Sequence, residues 1–544
     1  MRIALAQINP TLADFSANSK KIIEYTQKAA DRRANLVVFP ECALFGYHPF
    51  DLLERSDLID EQLKYVSEIQ KKIPAGISIL FGLITRNKAK KGRPYYNSAA
   101  LLTKGKPVKY FHKSLLPTGD VFDEARFIEP GKMEKNFFTL GGKKFFVTIC
   151  EDIWAWPDEE GISPYAKNPI TDIKYRPDLV INLSASPFFC GKMELRKRMT
   201  TKTAKHFKAP MMYVNLVGAQ DEVIYDGGSF VVTPNGKTLF HSQFFQEDLN
   251  VFDIKTNESW HDAQVPTNTE LLRQALVLGI RDFCEKTGLQ KIHLGLSGGI
   301  DSAVAVCLAV DAVGPAKVAG IALPGPFSAS QSYSLAEELA KNLKIKFMSL
   351  EIKDSYKTVL AELEKGFNVE GFSVLNENLQ ARLRGIILMA YANKENSLLF
   401  NTGNKSEMAT GYSTLYGDMC GGLAPLGDLT KHQIYELAEY YNATAEIIPK
   451  GIITRPPTAE LRANQKDQDS LPPYDKLDSA VEHLIEKAKP VRNKTDQWVL
   501  EKISVTEFKR WQAPPILKVS PHSFGRGRRW PIAHKAYRNK LKET

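Results

Sequence analysis

Cysteine is scarce in this chain. It occurs at six of 544 positions, Cys42, Cys150, Cys190, Cys284, Cys307 and Cys420, scattered and never spaced C-x-x-C. That excludes a disulfide scaffold and a zinc site built on paired thiols, and fits the reduced thiols of a cytoplasmic protein. Long apolar runs are also missing. None approaches the roughly 20 residues that span a bilayer. The opening MRIALAQINP reads as a strand, without the basic n-region, apolar core and small-residue cleavage site of a secretory signal. A cytoplasmic location with no membrane partner is the expectation. No internal repeat is visible.

What is present is ordinary for a globular protein: 43% hydrophobic and 25% charged residues. At roughly 100–200 residues per domain, the length predicts two to four domains. The formal net charge is +10, yet eight Lys/Arg against one Glu lie in 518–544, so seven of the ten excess charges sit in that tail. A basic tail can hold nucleotide phosphates, contact nucleic acid or form a solvated face. No nucleic-acid recognition motif accompanies it, and nucleic acid is not expected as a partner.

Apolar runs at 36–39, 77–83, 145–149, 179–183 and 211–216 read as buried strands. An amphipathic helix is predicted at 19–32, and a hairpin at 229–240 across a Pro-Asn-Gly turn. The polar, aperiodic stretch 256–270 separates 1–255 from 271–544 as a linker. Beyond it come a helix at 271–285 and strands at 292–296, 318–323, 346–352 and 397–401, with helical stretches between them. That alternation predicts a mostly parallel sheet covered on both faces. The stretch 454–474 is long and irregular, rich in Pro, Gln and Asp, a composition typical of functional or disordered loops.

Three residues of complementary chemistry follow strands in the first half. They are Glu41 in FPECALFGYHP, Lys113 in FHKSLLPTGDVFDEARF and Cys150 in FFVTICEDIW. Strand ends are where sites gather in α/β sheets. A thiol near a cation is a nucleophile, a carboxylate can take its proton, and an ammonium can stabilise an oxyanion. Together they could hydrolyse an amide through a thioester. Taken singly, Cys150 could be an inert buried thiol and Glu41 a helix N-terminal charge. These segments resemble the nitrilase (carbon–nitrogen hydrolase) superfamily over about 1–255. The resemblance implies an α-β-β-α sandwich with Glu41 as general base, Lys113 as oxyanion stabiliser and Cys150 as nucleophile. It further implies Glu124 as the lysine's support, and Ser186 and Lys192 in NLSASPFFCGK as glutamine contacts. Gly119 stands where glutaminase members often carry tyrosine, which leaves only backbone for contact there.

In the second half GLSGGIDS joins a strand to the helix AVAVCLAV. Gly298 and Gly299 allow a tight turn, while Ser297, Ser302 and the free N–H groups of the helix start can hold phosphate oxygens. No Gly-Lys-Ser/Thr follows, so this is not a Walker A loop. Asp301 could hold magnesium or serve as a first-turn helix charge. The polar loop after SLLF offers Thr402, Lys405, Glu407 and Asp418 as a second phosphate or nucleotide wall, and NENLQARLRG adds Asn378, Arg382 and Arg384 on a helix. SGGIDS, ENLQAR, TGNKSE, YGDMCGGLAPLGDL, RPPTAELRANQKDQDSLPPYD and ILKVSPHSFGRGRR together resemble the NAD synthetase family, in its glutamine-dependent form when the first half is included.

That resemblance implies a doubly wound parallel sheet of the ATP-pyrophosphatase (adenine nucleotide alpha hydrolase-like) type. It implies ATP at Gly295, Leu296, Ser297, Gly298, Gly299, Ile300, Asp301, Ser302 and Thr402. Deamido-NAD would meet Asn378, Glu407 and Lys518, and Mg2+ would meet Asp301 and Glu407. The loop 454–474 would close over the site, with Gln468 where the family often has an acid. L-glutamine, ATP and deamido-NAD are the implied small-molecule partners, and homo-oligomers with an ammonia tunnel the implied assembly. The rivals are another ATP-pyrophosphatase amidotransferase, making GMP or asparagine, a lone amidase with a degenerate partner domain, and a nucleic-acid binder driven by the tail. Arg2 counts against the asparagine type that depends on an N-terminal cysteine.

Overall fold

The structure is a computed structural model and describes residues 1–537 other than 90, 257, 260, 261, 368 and 370. Part of the basic tail, 538–544, and three positions of the predicted linker thus lie outside the described residues. The chain forms two compact units, 1–268 and 269–544.

The first unit stacks two sheets. One runs in the order Glu258–Ser259, Asp248–Asp253, Arg2–Gln7, Leu36–Val38, Ser78–Arg86, Tyr95–Thr103 and Lys109–His112. The other runs Thr238–His241, Phe230–Val232, Met211–Asn215, Leu179–Ser184, Lys143–Ile149 and Phe137–Leu140. The central strands of each are parallel and the outer pairs antiparallel. Val and Ile favour such strands, and residues two apart share a face. Leu5, Val38 and Leu80 of the first sheet meet Val147, Ile181 and Val214 of the second in one dry core. The outer face of the first sheet is covered by helices Phe15–Asp31 and Ser56–Lys72, whose Phe15, Ile22, Ile59 and Val66 bury against Ala4, Val37 and Ile79. The first of these helices is capped by Asp14, which accepts from the Ala17 amide at 3.0 Å. Helix Lys192–Phe207 covers the outer face of the second sheet, with Phe207 5.0 Å from the Phe146 ring. This is the expected α-β-β-α sandwich, and the hairpin at the Pro-Asn-Gly turn forms as read.

The second unit holds four parallel strands in the order Lys346–Ser349, Val318–Ala322, Lys291–Gly295, Ser397–Leu399. From Lys291–Gly295 the chain moves one way through helix Ile300–Val313, and it returns on the other side through helix Val374–Glu395. Right-handed crossovers therefore put these helices on opposite faces, the doubly wound arrangement expected. Strand order reverses between Lys291–Gly295 and Ser397–Leu399, and ligands bind beyond the strand ends at such a switch point. The Gly-rich loop and the Thr402 loop leave these two strands. Among the described residues no helix is long and apolar enough to cross a membrane.

Candidate active sites

Glu41, Lys113 and Cys150 each leave the carboxyl end of a strand of the sandwich, which brings them together although they lie far apart in sequence. Lys113 Nζ donates to Glu41 Oε1 at 2.8 Å and to Glu124 Oε1 at 2.7 Å, and its side chain is fully buried. Glu41 also accepts from Asn97 Nδ2 at 2.7 Å and from the Ala185 amide at 2.9 Å. Tyr47 donates its hydroxyl to Glu124 Oε1. A buried carboxylate with this many donors has one rotamer open to it, so Glu41 is aimed before substrate arrives.

Cys150 opens a short turn, Cys150–Ile153, with a left-handed φ of 39°. Such a backbone is strained for a residue with a side chain and persists only where neighbours hold it. Asp152 supplies the hold. Its Oδ2 accepts from the Ile149 amide at 2.8 Å, and its Oδ1 from the Ser114 and Leu115 amides at 2.8 and 3.0 Å. One carboxylate thereby ties the Cys150 turn to the loop after Lys113. Burial pushes the Cys150 thiol well up, Glu41 adds to this, and Lys113 opposes it. Burial works against the Lys113 charge too, but Glu124 and Glu41 outweigh it and hold the ammonium well above its ordinary range. The resting pair is a protonated thiol beside a charged lysine.

The three glutamine-side residues fall differently. Ser186 is buried, its amide donating to Asn215 Oδ1 at 3.0 Å and its carbonyl accepting from Arg196 Nη2 at 2.7 Å. Arg196 is itself fully buried on Asp226 at 2.7 Å. Lys192 Nζ lies 4.0 Å from the centre of the Trp154 ring. Gly119 is exposed and accepts from the Phe122 amide at 3.0 Å, and a Cβ there would meet nothing within 4 Å, so space does not dictate glycine. Tyr47, Asn97 and Asp152 escaped the sequence reading, and Asn97 sits in the middle of a strand that carried no local signal.

The second site is a cleft of about 340 Å³ lined by Gly295, Leu296, Ser297, Gly298, Gly299, Ile300, Asp301, Ser302, Thr402 and Glu407. The loop is folded by its own hydroxyls. Ser297 Oγ accepts from the Gly299 amide at 3.2 Å, and Ser302 Oγ donates to the Gly299 carbonyl at 3.0 Å. Gly298 has φ 76°, and a Cβ on it would lie 2.2 Å from the Ser332 carbonyl oxygen, so glycine is required there. Lys431 Nζ sits between acids, 2.6 Å from Asp301 Oδ2 and 3.6 Å from Glu407 Oε1. Burial and the Asp301 charge push Glu407 up to about 8. Asp467 joins the same wall, accepting from Tyr474 at 2.8 Å and Tyr412 at 3.3 Å, while its neighbour Gln468 is exposed. The loop 454–474 does border the cleft, through Arg455, Thr458, Glu460 and Asp467 among others.

Four predicted residues, Asn378, Arg382, Lys405 and Lys518, lie outside the cleft wall. Asn378 accepts from Thr414 Oγ1 at 2.8 Å, and Lys518 is buried, with Nζ donating to the Ser520 and Pro521 carbonyls at 2.7 and 3.2 Å. Lys405 is buried as well, on Asp428 at 2.9 Å and Glu486 at 2.7 Å, and holds the C-terminal segment rather than facing the cleft. Lys431, which opens helix Lys431–Tyr441, and Asp467, which lies within RPPTAELRANQKDQDSLPPYD, were not singled out from the sequence. Among the described residues, no group of three or more His, Cys, Asp or Glu side chains is spaced to hold a metal ion.

Residues 2–261 match the carbon-nitrogen hydrolase family and 272–513 the NAD synthase family. The chain is 42% identical to the glutamine-dependent NAD(+) synthetase of Synechocystis sp., covering 98% of each chain, and 37% identical to that of Thermotoga maritima, covering 98% of this chain and 99% of the other. Among solved structures, the glutamine-dependent NAD+ synthetase of Acinetobacter baumannii in complex with ADP aligns with a TM-score of 0.77 at 34% identity, over 98% of each chain.

Proposed function

The chain belongs to the glutamine-dependent NAD(+) synthetases, and from that premise we infer how its own residues divide the reaction. Residues 1–255 release ammonia from glutamine, and 271–544 use it to amidate deamido-NAD. In the first step Glu41 takes the Cys150 proton as the sulfur attacks the glutamine carboxamide. Lys113, kept charged by Glu124 and Glu41, stabilises the oxyanion. Glu41 returns that proton to the leaving nitrogen, ammonia departs and a glutamyl thioester remains. Water deprotonated by Glu41 then attacks the thioester, and glutamate departs. Ser186 and Lys192 hold the amino-acid end of glutamine, with Gly119 contributing backbone only. The observation that carries this reading is Lys113 bridging Glu41 and Glu124 in the strand-end site that Cys150 enters from its strained turn.

In the second step the nicotinate carboxylate of deamido-NAD attacks the α-phosphate of ATP and pyrophosphate leaves. Ammonia then displaces AMP from the mixed anhydride to give the amide. Activation is required because a carboxylate is a poor electrophile. The amides of 295–302 and the Ser297 and Ser302 hydroxyls receive the phosphates, and Thr402 lies on the facing wall. Two acidic side chains beside a phosphate site suit Mg2+, which takes carboxylate, phosphate and water oxygens. Burial first, and the Asp301 charge second, raise the Glu407 carboxyl, with Lys431 between the two acids opposing the shift. Asp301 and Glu407 would hold that ion, which when bound would neutralise phosphate charge. Glu407 would serve deamido-NAD through the same carboxylate. Asn378 and Lys518 act on this substrate from behind the wall, through the Thr414 loop and the terminal segment. Exposed Ile386 and Met389 on helix Val374–Glu395 support a homo-oligomer, and the reduced cysteines support a cytoplasmic location.

The test is NAD formation from ATP, Mg2+ and deamido-NAD with either glutamine or ammonium, in wild type and Cys150→Ala. Wild type is expected to use both sources and the variant ammonium alone. A folded wild-type protein that makes no NAD from either source overturns the reading.

A further inference from the structure

Among the described residues the cleft of the second unit has three cationic side chains in its wall, Arg384, Lys431 and Arg455, and two of them are already matched. Lys431 lies between Asp301 and Glu407, and Arg455 pairs with Glu460 and donates to the Ser332 hydroxyl. Arg384 has no carboxylate within 4 Å among the described residues. It is half-buried on helix Val374–Glu395, and its one hydrogen bond there runs from Nε to the Leu323 carbonyl at 2.9 Å. Leu323 directly follows strand Val318–Ala322, so this bond holds the side chain at the carboxyl end of the sheet, where ligands of such folds bind. Nη1 and Nη2 bond to none of the described residues, yet neither is sealed from solvent. Gly325 leaves room beside them, since a Cβ there would lie 2.8 Å from Nη2. Burial lowers the guanidinium from its ordinary range, and Glu460 and Asp418 oppose this only from beyond ion-pair distance. Arg382, two positions earlier, is instead exposed and donates to the Leu415 carbonyl at 3.2 Å. A charge withdrawn from water without a counter-charge costs free energy, and such violations gather at functional sites.

We propose that Arg384 binds phosphoryl oxygens of a nucleotide in this cleft, through the Nη1 and Nη2 edge that its bond to Leu323 leaves free. A guanidinium presents parallel N–H groups that match two oxygens of one phosphate. The Gly-rich loop offers neutral donors, its amides and hydroxyls, and Arg384 adds the full positive charge that the loop lacks. Lys431 can add that charge only by leaving Asp301 and Glu407. In the reaction assigned to this cleft the nicotinate carboxylate is a second anion. One of its oxygens has to attack phosphorus, however, and a guanidinium gripping both would hold that lone pair back. Phosphoryl oxygens stay charged throughout. Two nucleotides bring them, ATP with its triphosphate and deamido-NAD with its pyrophosphate bridge.

This inference rests on the reading of the cleft as the ATP and deamido-NAD site, and NAD formation by wild type checks that reading separately. Arg384→Met keeps most of the stem and removes the charge. Titration calorimetry of full-length wild type and variant with ATP, deamido-NAD and NAD, each alone, locates the contact. Affinity is expected to fall by about 10- to 100-fold, the size of a lost charge-assisted hydrogen bond. A fall for ATP assigns the contact to the triphosphate. Matched falls for deamido-NAD and NAD, which share both phosphates, assign it to the pyrophosphate bridge. A fall for deamido-NAD alone overturns the proposal, because NAD differs from it only in carrying an amide for the carboxylate. Unchanged affinity for all three overturns it as well. Melting of the protein without ligand separates binding from folding. Arg384→Met relieves an unmatched charge, so its melting temperature is expected to equal or exceed that of wild type. A lower melting temperature together with weaker binding of all three ligands would make Arg384 a support of the wall and overturn the proposal.

Discussion

At the scale of single residues, Glu41 has two opposed effects on Cys150. As the proposed base it would accept the thiol proton, yet its negative charge, added to burial, makes that proton harder to lose. Without substrate the thiolate is therefore sparse at neutral pH, which protects a strained and nucleophilic residue from electrophiles. The chemistry turns favourable only when proton transfer to Glu41 and attack on the carboxamide occur together. The opposition can be measured. Iodoacetamide labels the thiolate, so the labelling rate of Cys150 in wild type is expected to keep climbing as pH rises past 9, the ordinary thiol range. Glu41→Gln removes the neighbouring negative charge while Lys113 stays, so its labelling midpoint is expected at lower pH than in wild type. Its glutamine hydrolysis should fall by about 100-fold or more, the typical size of a lost general base. Mass spectrometry of the Cys150 peptide across a pH series reads the first effect and a glutamate assay the second. A midpoint that rises in Glu41→Gln would mean that the carboxylate acts on the thiol as a hydrogen-bond acceptor more than as a charge.

At the scale of elements, the sequence and the structure diverge where a residue's direction matters more than its type. Glu41 and Cys150 were legible because each follows a strand whose apolar run is local and continuous, and Lys113 because its segment resembles that of the carbon–nitrogen hydrolases. Gly298 was legible because its turn requires a glycine. Lys405 reads equally well as a phosphate ligand, a lysine in a polar loop after a strand, yet the loop turns it inward. There it joins Asp428 and Glu486, while Asp428 also accepts from the Val519 and Ser520 amides at 2.7 and 2.8 Å. No short-range pattern announces a partner as far as 81 residues away. The same holds for Asp248–Asp253, which pairs with the first strand across almost the whole unit. Lys431 and Asp467 reach the cleft by long-range packing too, and so were not singled out. The structure thus gives Lys405 the task of fastening the terminal segment to the cleft loop. Lys405→Met keeps the volume and leaves the fully buried Asp428 and the half-buried Glu486 without their cation, and breaking a buried pair in this way costs about 3–5 kcal/mol. Urea unfolding of the second unit should lose that much free energy, read as a lower midpoint at unchanged m. A loss below about 1 kcal/mol would show that water reaches Asp428 and Glu486.

At the scale of the whole molecule, each unit has a core of its own. The first buries side chains between two sheets and beneath helices, and the second around a four-stranded parallel sheet and its covering helices. The proposed chemistry divides along the same line, with the thioester in one unit and the adenylate in the other. Two cores of this kind are expected to melt as two transitions in scanning calorimetry rather than one. A ligand stabilises only what it binds, so ATP with Mg2+ at roughly 100 times its Kd adds about 2.7 kcal/mol to the unit that carries the Gly-rich loop. For units of this length that is a rise of about 5 °C or more in one transition, with the other unmoved. Lys405→Met identifies the responding transition independently, because it must lower the same one that ATP raises. Gly298→Ala, whose Cβ would press on the Ser332 carbonyl, should abolish the ATP shift and leave the first unit's transition where it was. If ATP instead raises both transitions together, the units share stabilisation. Ammonia release and its use would then be joined through folding free energy as well as through a common product.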